Sequence, residues 1–153
     1  MRKLGIVIVA AILLISMLVA GCAKPAPATT VKPSVVVTPA VAPLDAKTQI
    51  VIMGSDYQPG QKIKILIRDP QVGSLVNIAT LVNPAEPVPN EQGAWATVWT
   101  LGRYVSRGVF QEGIYYIRIT DDSGNILASA PIGLADVTKP REQWPTWAQA
   151  VIK

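Results

Sequence analysis

From residue 47 onward, apolar positions recur with a period close to two. In "QKIKILIRD", Ile63, Ile65 and Ile67 fall on one side and Lys62, Lys64 and Arg68 on the other, with Leu66 alone interrupting the polar side. That alternation marks a half-buried strand. "TQIVIMG" before it reads as a strand apolar on both faces, and the intervening "SDYQPGQ" has Pro59 and Gly60 to make a turn. "SLVNIATLV", "AWATVWTL", "GIYYIRIT" and "NILASAPIGL" continue the series, with "DDSGN" as a hairpin turn between the last two. No amphipathic helical run of ten residues interrupts it. Six or seven strands in about 90 residues predict an all-β fold, a single antiparallel sandwich spanning residues 47–136. A domain of that size buries about 60 to 65 per cent of its unfolded surface and has little volume left for an enclosed active site.

The pattern changes at both ends. In "REQWPTWAQAVIK", Trp144, Trp147, Ala148, Val151 and Ile152 follow helical spacing, and Pro145 suits a first helical position. The tail, residues 137–153, is therefore expected to carry a short amphipathic helix of two to three turns. Alone it is marginal in water. Trp144, Trp147, Val151 and Ile152 are its candidate contacts with the sandwich flank, a protein partner or a lipid interface, where tryptophan is favoured.

At the other end, Arg2 and Lys3 precede eighteen residues without charge, "LGIVIVAAILLISMLVAG", and then Cys22. A basic start, an apolar run and the small pair Ala20 and Gly21 make the layout of an export signal, residues 1–21. By length alone the run also sits at the lower edge of what spans about 30 Å of hydrocarbon. Residues 22–46 follow, with Pro25, Pro27, Pro33, Pro39 and Pro43 spaced through Ala, Val and Thr. Repeated proline opposes helix and central strand, so this stretch is expected to be an extended linker reaching up to about 70 Å. "SVVV" within it reads as a strand or as linker, and the flanking prolines favour linker.

Composition narrows the chemistry. The chain has no histidine, and Cys22 is its one cysteine. Outside that residue the usual zinc sites, Cys/His nucleophiles and serine-histidine triads are removed, and no Ser-x-x-Lys is present. Without Arg2 and Lys3 the chain has twelve basic and ten acidic side chains, scattered rather than clustered. That balance gives no ground for nucleic-acid binding.

Leu18-Val19-Ala20-Gly21-Cys22 resembles the lipobox of bacterial lipoproteins and departs from it nowhere. The resemblance implies cleavage before Cys22, a diacylglycerol thioether and an N-acyl chain on that residue, and no other cofactor. It also implies an extracytoplasmic anchor in the cell membrane or outer membrane; two or more chains hold a protein stably where one does not. Ala23 stands where many lipoproteins retained in the inner membrane have aspartate. "GSDYQPGQKIKILI", "GAWATVWTL" and "EGIYYIRITDDSGNILASAPIGL" resemble the opening, middle and closing strands of bacterial immunoglobulin-like modules. That likeness implies a spacer, adhesive, sugar-binding or subunit-contact domain rather than any one activity.

Several residues are candidates for function. Trp95 and Trp99 lie on one face of their strand; if Ala94, Ala96 and Val98 are buried, the two indoles form an exposed platform for sugars, with Tyr57 nearby. The opposite arrangement makes them core. Asp121, Asp122 and Asn125 offer oxygen ligands of the kind calcium takes, but the same residues are what a tight turn requires, and no metal site is assigned. Residues 83–93 form a proline-rich loop of a kind that often carries binding surfaces. A glycosidase would need two carboxylates about 5 to 10 Å apart in a groove, and no spacing suggests them. The sequence is thus read as a lipid-anchored, non-catalytic binding or spacer module, with polysaccharide or an envelope protein as partner and carbohydrate recognition through Trp95 and Trp99 as the alternative.

Overall fold

The alternation is realised as strands whose odd and even residues part between core and solvent. The computed structural model describes residues 31–69 and 73–152. Its strands are β1 (Ser34–Thr38), β2 (Val41–Pro43), β3 (Gln49–Ser55), β4 (Lys64–Arg68), β5 (Leu75–Asn77), β6 (Val82–Asn83), β7 (Trp95–Thr100), β8 (Gly113–Thr120) and β9 (Ile126–Ala135). One sheet has the order β1-β3-β7-β6 and the other β2-β9-β8-β4-β5. Between them lies the core: Ile50, Ile52, Trp95 and Trp99 from the first sheet, and Ile65, Ile67, Tyr115, Ile117, Ile119, Ile132 and Leu134 from the second. Burying side chains of this size at about 25 cal/mol per Å² is the main force holding two such sheets face to face. The fold is an all-β sandwich.

Three expectations are corrected. The sandwich begins at Ser34, not at residue 47, because β1 and β2 come from the stretch expected to be linker. Val35 and Val37 point to the core side while Ser34, Val36 and Thr38 face out, and the prolines stand where no ladder donor is needed. Pro33 precedes β1, Pro39 lies between the two strands, and Pro43 ends the edge strand β2. The sheets are also not wholly antiparallel. The chain leaves β3's side after Thr38 and joins the other sheet, where β2 runs parallel to β9. Finally, "SLVNIATLV" is two strands in different sheets. Asn77 Oδ1 accepts from the Ala79 N–H at 2.8 Å and turns the chain, so β5 stays on β4 while β6 pairs with β7.

Between β7 and β8 stands one helical turn, α1 (Arg103–Ser106). After β9 the tail holds a 3₁₀ turn at Arg141–Gln143 and one α-helical turn, α2 (Thr146–Gln149). This is shorter than the two to three turns expected. Pro145 is extended and caps the helix from outside (φ −55°, ψ 145°), which leaves Trp144 off the helical face.

Candidate functional site

Cys22 lies outside the described residues. The aromatic platform is corrected: Trp95 is 6 % exposed, Trp99 0 % and Tyr57 3 %. On β7 the residues that face out are Ala96 and Val98, so the strand presents its small side to water and its indoles to the core. Trp99 packs edge-on against Phe110 at 5.4 Å between centroids and Trp95 against Tyr57 at 5.6 Å, within the range in which aromatic pairs attract. Trp95 crosses to β3 and lies over Gly54, where a Cβ would come 2.2 Å from its Nε1. Burial pushes the Tyr57 hydroxyl well above its usual range. Rings held this way do not form an exposed platform.

The tail closes on the outer face of the second sheet. Gly133 points outward from β9, yet it is buried, because Trp147 lies on it: a Cβ there would stand 2.5 Å from Trp147 Cζ3. Ala148 is fully buried, whereas Val151 is 52 % exposed and Ile152 half-buried. Trp144 donates from Nε1 to the Lys139 carbonyl at 2.9 Å and accepts from Gln149 Nε2 at 2.7 Å. The start of the tail is pinned by Glu112, whose carboxylate takes the Asp136 N–H at 3.2 Å and Lys139 Nζ at 2.8 Å. Of the four expected contact residues, Trp144 and Trp147 are engaged within the protein and Val151 remains the most open.

The Asp121 to Asn125 segment is a self-contained turn. Asp121 accepts from the Asn125 backbone N–H at 2.9 Å and from Asn125 Nδ2 at 2.8 Å, and these bonds hold its carboxyl below the usual range. Asp122 pairs with Lys64 at 3.3 Å. Among the described residues no group of three His, Cys, Asp or Glu side chains has metal-binding geometry. The proline-rich loop is likewise stitched down: Asn90 Oδ1 accepts from the Gln92 and Ala94 N–H groups, and Gly93 accepts from the Tyr57 N–H. Glu86 and Asp122 line one small cleft of about 240 Å³, together with Lys62 and Lys64.

What the sequence left scattered, the sheets sort. No strand of the β1-β3-β7-β6 sheet contains a charged residue. The strands of the other sheet contain three, all cationic: Lys64 and Arg68 on β4 and Arg118 on β8. The register places Leu66 opposite Arg118 and Arg68 opposite Tyr116, so Lys64, Arg118 and Arg68 zigzag along one outer face. Tyr116 is 43 % and Leu75 51 % exposed beside them. Neither arginine has a carboxylate partner among the described residues. The alternation in "KIKILIR" announces two of these cations, but the pairing that adds Arg118 joins positions about fifty residues apart. Comparison with family models and with curated proteins finds no match to this chain.

Proposed function

We propose that this is an exported lipoprotein of the cell envelope whose sandwich serves as a non-catalytic binding or spacer module on the extracytoplasmic face of the cell membrane or outer membrane. The observation that carries this reading is the run Leu18-Val19-Ala20-Gly21-Cys22 closing an apolar, uncharged stretch, with the first strand beginning soon after. Eleven residues separate Cys22 from Ser34, so a tether of about 3.1 Å per residue reaches roughly 35 Å, half the expected length. The immunoglobulin-like assignment belongs to the same proposal. It is supported by Tyr115, which enters β8 and exchanges hydrogen bonds with the Gln111 backbone four residues upstream, at 2.9 and 3.0 Å, in the manner of the tyrosine corner of such sandwiches.

The test is metabolic labelling with a radioactive fatty acid in a bacterial host, followed by fractionation. The expected result is a labelled, membrane-bound protein, with Cys22→Ser losing the label and retaining the uncleaved apolar segment. A wild-type chain that is exported without label refutes the anchor.

A further inference from the structure

Lys64 and Arg68 are four residues apart on β4, about 13 Å along the strand, and Arg118 stands between them on β8, about 7 to 8 Å from each at the backbone. Three cations at such intervals match a linear chain carrying repeated anionic groups, not a single small anion. Lys64 shares Asp122 with solvent, the two side chains being 49 % and 59 % exposed, and an exposed pair of this kind is weak and readily exchanged. Between and beside the cations the surface is apolar: half-buried Leu66, exposed Leu75 and the exposed ring of Tyr116, next to Arg68 in the register. Aromatic faces beside guanidinium groups suit a ligand whose repeating unit is both a ring and an anion. The chain's near-balanced charge argues against a nucleic acid, which draws its affinity from many phosphate contacts.

We propose that this outer face of β4 and β8 binds a linear anionic glycan, with Lys64, Arg118 and Arg68 meeting its acidic groups and Tyr116 stacking on a sugar ring. The proposal rests on the binding-module half of the function above and not on the anchor.

The test uses the full chain in non-ionic detergent, titrated with polygalacturonate, with neutral dextran, and with polyglutamate as an anionic chain without rings. Polygalacturonate binding is expected to weaken with added salt and to fall at least tenfold in Arg68→Gln/Arg118→Gln. Arg68→Lys/Arg118→Lys, which keeps the charge, is expected to retain most of it. Tyr116→Ala should weaken polygalacturonate several-fold and leave polyglutamate unchanged, and dextran should not bind. Arg107→Gln, on the exposed turn after α1, serves as the charge control and should have no effect. The proposal is overturned if dextran binds as well as polygalacturonate, if the double glutamine variant binds like wild type, or if Arg107→Gln costs as much. Polyglutamate binding equal to polygalacturonate, with Tyr116→Ala silent on both, would make the ligand an acidic peptide and refute the glycan. Should the double glutamine variant melt early, Arg118→Gln alone and the lysine pair decide. No arm depends on acylation, so failure here leaves the labelling experiment intact, and the reverse.

Discussion

Gly133→Ala tests whether the tail is part of the folded sandwich. The new Cβ would lie 2.5, 2.9 and 3.3 Å from three atoms of the Trp147 ring, all inside ordinary contact distance. The backbone cannot yield, because Gly133 is paired on one side with Ile114 of β8 and on the other with Val41 of β2. The indole must therefore lift. Tryptophan buries about 150 to 250 Å² when fully covered; losing about half of that at 25 cal/mol per Å² costs roughly 2 to 3 kcal/mol. Against this, replacing glycine in a strand removes unfolded-state freedom and by itself stabilises by about 0.4 to 1 kcal/mol. The net expectation is a loss of about 1 to 2.5 kcal/mol, a drop in Tm of several degrees for a domain of this size. In a Trp147→Ala background the collision is gone and only the entropy benefit remains, so the same substitution should become neutral or stabilising. Thermal unfolding of the four proteins of this cycle, from residue 23 onward, measures the coupling. Equal effects of Gly133→Ala in both backgrounds would refute the docking of Trp147 on β9.

Three further outcomes follow from the packing. Gly54→Ala should destabilise by about 1 to 3 kcal/mol through collision with the buried Trp95 indole, and Trp95→Leu should relieve part of that in the double variant, read by the same melts. A chain starting at residue 47 lacks β1 and β2, and with them Val37 and Ala42 from the core; it should melt well below, or aggregate where, a chain starting at residue 31 stays folded, as size-exclusion chromatography and thermal unfolding would show. The tail clamp should respond to pH only at the extremes. Thr138 hydrogen bonds lower the Asp136 carboxyl below 3.8, so its contribution is present above that value and lost as pH falls through the folded one. Glu112 raises Lys139 above 10.5, so that contribution is complete below 10.5 and lost as pH rises through the folded one. Fluorine resonances of fluorotryptophan at Trp144 and Trp147 should hold steady through the neutral range, and in Glu112→Gln the alkaline change should begin at lower pH.

The strands were legible where one face is buried and the other solvated. In β4 the period-two pattern marks Ile65 and Ile67 as core and Lys64 and Arg68 as surface, and they are. On β7 that pattern marks which residues share a face but not which face is inside, because alanine and tryptophan both suit a core; volume decides, and the sandwich takes the indoles. β1 was hidden for a different reason. Proline at 33, 39 and 43 looks like interruption along the chain, yet an edge strand that changes sheets needs few donors, and proline is tolerated there. The tail's helical spacing was real only over one turn, since hydrogen bonds from Gln149 and Trp144 fold the segment back on itself. Cross-strand neighbours such as Arg68 and Tyr116 depend on register between distant segments, which no local pattern contains.

The register gives the proposed surface a direction within the sandwich. Ser34 and Val35, where β1 begins, share a groove with residues 126–129 at the start of β9, so the β8–β9 turn lies at the same end of the sandwich as the start of β1. Lys64 sits opposite Thr120, next to that turn, whereas Arg68 sits opposite Tyr116 toward the other end. The row of cations therefore runs along the strands, away from the end where β1 begins. A polymer lying on the ladder would then run along the strands, while the β1-β3-β7-β6 sheet, whose strands have no cation to hold it, would be left uncovered.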